Sequence, residues 1–392
     1  MPLDFENDSI EESFNECIEE SRKICEYESQ GFVFSNNYTT LVKVPNDVKE
    51  FKVPQRITTI NEEAFVGCFI LKTIKCLRFY EVEHIYCIGC FSLTSSSGSF
   101  KVVGELDLSD TAIVSLPDNL EVTENLYLND TPIASLPNQL KVGGTLDLAY
   151  TSITSIPDNL SVGRDLFLKA TPITSLPNNF SVKGNLSLKE TSITSLPENL
   201  KVGGFLDLSE TQITSLPEKM KVGGSLILSD TPIRLLPENL SIGGSLYLDN
   251  TLVTSLPSKM KVGGNLDLSK TQIASLQGIQ EVNGSLDISY TSIVALPDNL
   301  RVYGHLDLNN TKITSLPNHL KVSGTLCISD TLITSLPDHL EVGGDLDISH
   351  IKIDAFPQEL IVDGDFIINE NSFNLWHDSM KIGRLVICKK RL

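Results

Sequence analysis

The sequence is dominated by a 20-residue unit that recurs head to tail from Lys101 to about Glu370. The unit reads K-V-G-G-x-L-D-L-S-x-T-x-I-T-S-L-P-x-x-L, and its positions are numbered 1 to 20 from the lysine. Self-similarity at a fixed period of this length is typical of solenoids, in which each repeat forms one turn stacked on its neighbours. We therefore expect a stack of turns in place of the two or three globular domains that 392 residues would otherwise suggest.

Six positions of the unit, 2, 6, 8, 13, 16 and 20, are aliphatic in most copies. The alternation at positions 6 to 8 predicts a strand with one buried and one exposed face. The Leu-x-Val run before the glycines predicts a second short strand on the opposite side of the turn. The glycine pair at positions 3 and 4, such as Gly203 and Gly204, is expected to take positive φ in a tight bend.

Two further features of the unit concern its turns. Thr occupies position 11 from Thr111 to Thr331, and a hydroxyl there can support the fold by satisfying backbone groups of the turn. The run SLQGIQ, around Gln277 and Gly278, replaces the usual Ser-Leu-Pro segment. A local bulge or a change in curvature is expected at that turn.

The skeleton L-x-L-x-x-T-x-I-x-S-L-P-x-x-L resembles the short leucine-rich repeats of bacterial and effector proteins, with Thr where those repeats usually carry Asn. The resemblance implies a leucine-rich-repeat-like solenoid, β-rich, with parallel strands on the concave face and little helix apart from an N-terminal capping helix. It also implies that the exposed face of the strands is the ligand surface.

Residues 41–98 contain a different repeat, in which VKEFKVPQRITTINEEAFVGCFIL is followed by a degenerate copy. The first copy resembles the BspA-like leucine-rich repeat. The residues that carry this resemblance are Pro54, Ile57, Ile60, Ala64, Phe65, Cys68 and Leu71. In the second copy Tyr86 and Cys87 stand in place of Ala64 and Phe65, and Cys90 stands in place of Cys68.

The two ends of the chain differ from the repeats. Ser9 and Glu12 form a capping-box pattern at the start of an amphipathic helix predicted from Ser9 to Tyr27. Its apolar stripe is Ile10, Phe14, Cys17, Ile18 and Cys25. That face would cover the open end of the solenoid or bind a partner.

We predict that the chain has four regions. Residues 1–40 form the N-terminal helix and cap, and residues 41–98 form the BspA-like repeats. Residues 101–370 form the regular repeats, and residues 371–392 form a C-terminal cap that includes Trp376.

Cys87 and Cys90 form a C-x-x-C motif that, with Cys68 and Cys76, suggests zinc or redox chemistry. The repeat alignment favours another interpretation, because Cys90 repeats Cys68 and Cys87 replaces a core Phe. Both are better explained as small buried apolar side chains. No metal site and no cofactor are therefore predicted.

The chain carries 50 Asp and Glu against 31 Lys and Arg, a formal net charge of −19. This charge argues against nucleic acid or an anionic membrane surface as a partner, because both are polyanions. The acidic N-terminus lacks the apolar core of a secretory signal, and no apolar run is long enough to span a bilayer. A cytoplasmic protein is expected, with export by a route without a cleaved signal, or delivery into a host, left open.

The predicted binding surface is the strand face at positions 5 and 7. Half of the residues at position 7 are Asp, which is a poor strand former, and stacked carboxylates repel one another. The predicted partner-binding residues are Tyr127, Phe167, Phe205, Asp207, Tyr247, Asp267, Asp287, Asp307 and Asp347. Either the aspartates meet Lys and Arg of a protein partner while the aromatics act as apolar anchors, or a solvated Asp was copied with the repeat and blocks lateral aggregation of the sheet.

The sequence contains no P-loop, no G-x-S-x-G and no H-E-x-x-H motif, and its six His residues are scattered. The favoured function is a non-catalytic, effector-like scaffold that binds a protein with a basic surface, without a small-molecule substrate. The alternative is a structural or adhesion rod that acts as a spacer. An enzyme would need an active site that the sequence does not reveal.

Overall fold

The computed structural model describes residues 19, 21–52, 54, 56–57, 59–61, 64–65, 68, 73–75, 81–86, 95–97, 101–116, 118–375, 377 and 379–388. Contacts group the described residues into two compact units. Unit 1 extends to Pro177 and includes Val182–Asn185, and unit 2 comprises Asn178–Ser181 and Leu186 onward.

The described part of unit 1 starts with a helix over residues 21–29, preceded by a helical residue at 19. The start of the helix predicted at Ser9 lies outside the described residues. Within the helix Ile24 is buried and Tyr27 packs edge-on against Phe51, with ring centroids 5.5 Å apart. Cys25 is exposed, so its assignment to the apolar stripe was wrong. The helix therefore packs through Ile24 and Tyr27, which lie on either side of Cys25 in the sequence.

The region between this helix and the regular repeats contains short strands. They are Val33–Phe34, Thr40–Lys43, Glu50–Lys52, Thr59–Ile60, Thr73–Lys75, Glu81–Tyr86 and Ser95–Ser97. Thr40–Lys43 pairs in parallel with Thr59–Ile60, and Glu50–Lys52 pairs in parallel with Thr73–Lys75. Ile57, Ala64, Phe65 and Cys68, which carried the BspA-like resemblance, are buried. Cys76, Cys87 and Cys90 lie outside the described residues.

From residue 101 onward each turn contributes two short strand segments. The first segment, at positions 1 and 2, is formed by Glu121–Val122, Lys141–Val142, Ser161–Val162, Ser181–Val182, Lys201–Val202, Lys221–Val222, Ser241–Ile242, Lys261–Val262, Glu281–Val282, Arg301–Val302, Lys321–Val322 and Leu340–Val342. The second segment, at positions 6 and 7, is formed by Leu126–Tyr127, Leu146–Asp147, Leu166–Phe167, Leu186–Ser187, Leu206–Asp207, Leu226–Ile227, Leu246–Tyr247, Leu266–Asp267, Leu286–Asp287, Leu306–Asp307, Leu326–Cys327 and Leu346–Asp347.

These segments form parallel ladders, and wherever two segments of successive repeats pair, a residue pairs with its equivalent. In unit 1 Leu126 pairs with Leu146, and in unit 2 Leu206 pairs with Leu226. The predicted solenoid of parallel strands is thereby confirmed. The two segments do not lie on opposite sides of a turn, as the sequence had suggested. In the first turn a single strand, Lys101–Asp107, contains both segments. It pairs with the first segment of the next turn, Glu121–Val122, and also with the second, Leu126–Tyr127.

The core consists of the predicted aliphatic positions. Positions 6, 8 and 13 are buried in every turn of the regular array, as Leu206, Leu208 and Ile213 illustrate with 0% exposure each. Burying such a side chain contributes about 1.5–3 kcal/mol. Because each turn presents these side chains to the turns before and after it, the stack gains its stability from neighbouring turns.

The glycine pairs do not take positive φ. In the repeats, the left-handed conformation is taken instead at position 10, where φ lies between 54° and 60°. These residues are Asp110, Asp130, Tyr150, Ala170, Glu190, Glu210, Asp230, Asn250, Lys270, Tyr290, Asn310 and Asp330. Asn179, Asn299 and His339, at position 19 of their turns, adopt it as well. Position 10 is thus the residue at which the chain turns away from the second strand segment.

The Thr column supports the turn from within, as predicted. The hydroxyl of each Thr at position 11 donates to the carbonyl oxygen three residues earlier, as in Thr211 Oγ1 to Leu208 O at 2.7 Å. The same bond is made at every position 11 from Thr111 to Thr331. The Thr hydroxyls therefore bond inside their own turn and do not link one turn to the next.

Unit 2 ends with two long parallel strands, Leu360–Asn369 and Lys381–Cys388, joined through a 3-10 helix at Glu370–Leu375. Arg384 and Asp365 form an ion pair between these strands. Phe366 is fully buried and packs edge-on against Phe356, with ring centroids 5.4 Å apart. Trp376, the residue proposed for the core of the C-terminal cap, lies outside the described residues.

Candidate functional site

The strand face of unit 2 is an uninterrupted parallel register of position-7 residues. Asp207 pairs with Ile227, Ile227 with Tyr247, and Tyr247 with Asp267. The register continues through Asp287, Asp307, Cys327, Asp347 and Ile367. Since adjacent strands are about 4.7–4.9 Å apart, three aspartates stand next to one another at Asp267, Asp287 and Asp307. Their side chains are half-buried, although the sequence predicted an exposed face.

Unit 1 has its own, shorter strand face. Asp107 pairs with Tyr127, Tyr127 with Asp147, and Asp147 with Phe167. Acidic and aromatic residues therefore alternate here, and no two aspartates occupy adjacent strands among the described residues 107–167. Tyr127 and Phe167 are half-buried.

Folding does give a reason for Asp at position 7, contrary to the sequence analysis. Each of these carboxylates accepts a hydrogen bond from the backbone N–H two residues later, as in Ser269 N to Asp267 Oδ1 at 2.9 Å and Ser289 N to Asp287 Oδ1 at 2.8 Å. The other bonds of this kind end on Asp107, Asp147, Asp207, Asp307 and Asp347. The aspartate oxygen thus satisfies a donor where the chain leaves the strand.

The oxygen atoms of the position-7 aspartates help the fold, but the negative charges of Asp267 and Asp307 are unfavourable in the folded protein. Burial raises the pKa of Asp267, and the charges of Asp287 and Asp249 raise it further. Burial also raises the pKa of Asp307, again assisted by the charges of Asp287 and Asp267. Within the described part of the chain, no Lys or Arg forms an ion pair with Asp267, Asp287 or Asp307.

Replacing the three adjacent aspartates by Asn should stabilise the protein at neutral pH. In the variant D267N/D287N/D307N each amide oxygen can still accept the backbone hydrogen bond, while the like charges are removed. The expected gain in the free energy of unfolding is about 1 kcal/mol at pH 7. Because the folded-state pKa values of Asp267 and Asp307 are raised, protonation favours the folded state, so the gain should disappear as the pH falls to about 4. Urea denaturation of both proteins between pH 4 and pH 7 measures this difference, and a gain independent of pH would contradict the electrostatic explanation.

Cys327 interrupts the acidic register between Asp307 and Asp347. Its pKa is raised to about 11, first by burial and then by the charges of Asp307 and Asp347. The thiol therefore stays protonated at neutral pH and is a poor nucleophile.

A second polar ladder runs along position 5, and the sequence analysis did not identify it. The side chain at position 5 of one turn accepts a hydrogen bond from the backbone N–H at position 5 of the next, as in Ser285 N to Asn265 Oδ1 at 2.8 Å and Thr325 N to His305 Nδ1 at 2.9 Å. In unit 2 it continues without a gap from Ser225 to Asp365. The nearly invariant small or polar acceptors at this position were the signal that could have revealed it.

Phe205 breaks the rule at position 5, because its side chain has no atom that can accept the N–H of Ser225. It lies beside the second segment of its turn, next to Asp207, while Ile227 and Tyr247 occupy position 7 of the next two turns. All three apolar side chains are half-buried. Phe205, Ile227 and Tyr247 form an apolar section of the strand face in unit 2, followed along the register by the three adjacent aspartates.

Among the residues that the structure describes, the most exposed aromatic side chains are not those that the sequence analysis selected. Tyr290 and Tyr303 in unit 2 are 58% and 51% exposed, and Tyr150 in unit 1 is 49% exposed. Tyr290 and Tyr150 occupy position 10 and Tyr303 position 3, so all three lie outside the strand face. The binding prediction overlooked them because it considered positions 5 and 7 alone.

No group of three or more His, Cys, Asp or Glu side chains among the described residues is arranged to hold a metal ion. Of the helices that the structure describes, none has the length and apolar character required to cross a membrane.

No model of a known protein family matches the sequence, and no curated protein matches it significantly. Several solved structures are similar to the chain. YopM from Yersinia enterocolitica WA-314 has a TM-score of 0.48 and 17% identity, over 90% of this chain and 91% of that one. A leucine-rich repeat protein of Leptospira interrogans has a TM-score of 0.42 and 18% identity, over 74% and 88% of the two chains. A leucine-rich repeat protein from Bacteroides eggerthii DSM 20697 has a TM-score of 0.48 and 12% identity, over 85% and 69%.

The structural neighbours are thus leucine-rich repeat proteins. The fold is a leucine-rich-repeat-like solenoid. That description follows from the pairing of equivalent residues in successive repeats and from the buried aliphatic columns.

Proposed function

We propose that the chain is a non-catalytic scaffold that binds a protein with a basic surface through the strand face of unit 2. The observation that carries the proposal is the charge of Asp267, Asp287 and Asp307. At these positions the fold uses an acceptor oxygen, which Asn would provide without repulsion between neighbours. Lys and Arg side chains of a partner would compensate the three charges and offset their mutual repulsion.

Phe205 adds an independent argument for the same face. All turns of unit 2 from Ser225 to Asp345 carry a polar acceptor at position 5. Phe205 is an exception, because its side chain has no atom that could accept the corresponding bond of the ladder. Positions that break a local rule of the fold are expected at functional sites. With Ile227 and Tyr247, Phe205 would provide an apolar anchor beside the acidic section.

Affinity capture with the full-length chain, at low and at moderate salt, tests this proposal. The wild-type protein should retain a basic partner that is lost as salt rises, because screening weakens attraction between exposed charges. The variant D267N/D287N/D307N should retain at least tenfold less of the same partner, because its three carboxylate contacts with Lys and Arg are lost together.

A matched control removes three carboxylates of unit 2 outside the strand face. Glu218, Asp298 and Asp338 occupy position 18 of three turns and are exposed. The variant E218Q/D298N/D338N changes the net charge by the same amount and should capture the partner as the wild type does. Equal losses in both triple variants would show that only the net charge matters, and this would overturn the proposed site.

The alternative function, a structural rod, predicts a different outcome of the same experiment. A spacer would capture no partner in either buffer, while light scattering would detect self-association. That result would replace the binding proposal.

A further inference from the structure

The sequence contains a single Asn-Gly pair, Asn283 and Gly284, at positions 3 and 4 of their turn. The two residues form a bend between the strand segments Glu281–Val282 and Leu286–Asp287. The side chain of Asn283 is exposed and makes no hydrogen bond with the residues that the structure describes. No bond therefore has to break before its amide group can turn toward the main chain.

The N–H of Gly284 differs from those at the same position of the neighbouring turns. Gly264 N donates to Gly244 O at 2.9 Å, and Gly304 N donates to Gly284 O at 3.0 Å. The equivalent bond is made by the N–H groups of Gly224, Gly244, Gly324, Gly344 and Gly364. Within residues 224–364, all of which the structure describes, Gly284 N is the one position-4 nitrogen that lacks this bond. Its N–H can donate only to water.

Other asparagines of the repeats are held on both sides. Asn265 Oδ1 accepts a hydrogen bond from Ser285 N at 2.8 Å, and the next N–H, that of Leu266, donates to Ser285 O at 2.9 Å. Asn125 is held in the same way. Asn283 differs in that its side-chain amide and the following main-chain nitrogen are both unbonded, and in that a glycine follows it.

We propose that residue 283 is a site of spontaneous deamidation, at which the main-chain nitrogen of Gly284 attacks the side-chain carbon Cγ of Asn283. The bond from the nitrogen to Cγ forms and the bond from Cγ to Nδ2 breaks. Ammonia leaves with the proton of the Gly284 nitrogen, and a five-membered succinimide ring remains. Water then opens the ring. Opening at Cγ gives aspartate, and opening at the main-chain carbonyl carbon gives isoaspartate, in which the main chain runs through the former side chain.

Two properties of Gly284 favour this reaction over the same reaction elsewhere in the repeats. Glycine has no side chain that could obstruct the approach of Cγ to the nitrogen. The nitrogen is also not bonded to the preceding turn, so the attack breaks no hydrogen bond of the stack. The product carries one more negative charge than asparagine does, and it forms without an enzyme or a cofactor. The modified fraction of the protein therefore increases with time after synthesis.

The variant Ser323→Asn provides a matched comparison within one molecule. Ser323 and Gly324 occupy the same repeat positions, also in a bend, and the Ser323 side chain is exposed, but Gly324 N donates to Gly304 O at 2.9 Å. The full-length variant is incubated at pH 8 and 37 °C, and deamidation is located by peptide mapping with mass spectrometry. Residue 283 should be deamidated at least tenfold faster than residue 323. In urea, where the bond to Gly304 is lost, the two residues should react at similar rates.

The outcomes of this comparison decide the proposal. Equal rates at residues 283 and 323 in the folded variant would overturn it, because the unbonded nitrogen of Gly284 would then make no difference. Deamidation of residue 283 in urea alone would overturn it as well, because the fold would then protect the asparagine.

A second control keeps the amide but lengthens the side chain. In Asn283→Gln the attack must close a six-membered ring, which forms far more slowly. Anion-exchange chromatography of the incubated wild-type protein should resolve a more acidic form that this variant does not develop. The same amount of acidic form in both proteins would assign the added charge to another residue and overturn the proposal.

Discussion

Replacement of Gly224 by Ala should lower the free energy of unfolding by about 3 kcal/mol. A Cβ at Gly224 would lie 2.6 Å from Gly204 C, 2.8 Å from Gly204 O and 2.9 Å from Phe205 N. All three are backbone atoms, so no side chain can rotate away to make room. The turns would have to separate, and this would stretch the bonds from Gly224 N to Gly204 O and from Gly244 N to Gly224 O, both 2.9 Å long. Urea denaturation of the full-length protein measures the loss.

The control for Gly224 uses the same repeat position in unit 1. One turn of unit 1 carries Glu124 at position 4. The N–H of Glu124 donates to Gly104 O at 3.0 Å, and its side chain is exposed. Glu124→Ala should change the free energy of unfolding by less than about 0.5 kcal/mol. If Gly224→Ala were equally neutral, the close approach of adjacent turns could not be the reason for glycine at position 4.

The period and the core of this fold could be predicted from the sequence, because both depend on which residues face inward. Alternation around Leu206 and Leu208 predicts the strand, and the period of the repeat predicts the partner of each strand. The role of Thr211 could be predicted for the same reason, since its hydroxyl bonds within its own turn. These features need only the order of residues along one unit.

The role of the glycines could not be predicted in this way, because it depends on how closely adjacent turns approach. The sequence suggested a bend with positive φ at Gly203 and Gly204, yet the left-handed residue is at position 10, and Gly224 is required by the backbone of the preceding turn. Contacts between turns depend on the rise and offset of the stack, which a single unit does not specify.

The candidate site was predicted in part. The sequence placed Asp267, Asp287 and Asp307 in one row, and the structure has them on adjacent strands. It did not predict that each carboxylate accepts a backbone hydrogen bond, because the donor, the N–H at position 9, becomes available only where the chain leaves the strand after position 7. The missing pairing between Lys261–Val262 and Glu281–Val282 was predicted only as a local irregularity, because pairing depends on how closely two turns approach.

Truncation of Leu226 to Ala should also lower the free energy of unfolding by about 3 kcal/mol. Leu226 is fully buried and pairs with Leu206 on one side and Leu246 on the other, so the cavity would open toward both neighbouring turns. The turns cannot close on it, because the bond from Leu226 N to Ser245 O, 2.9 Å long, fixes their spacing. The control Leu235→Ala removes a leucine that is 69% exposed and should cost less than about 0.5 kcal/mol.

Hydrogen exchange of the Leu226→Ala variant distinguishes a solenoid held by nearest neighbours from a single cooperative core. In a stack of repeats each turn contacts only the turns beside it, so a defect lowers stability locally before it lowers that of the whole. Amides around Leu206, Leu226 and Leu246 should exchange faster in the variant, while those around Leu306 should keep their wild-type rates. Uniformly faster exchange from Leu206 to Leu346 would instead mean that unit 2 unfolds as one block. In that case unit 2 would unfold in one step even though Lys261–Val262 does not pair with Glu281–Val282.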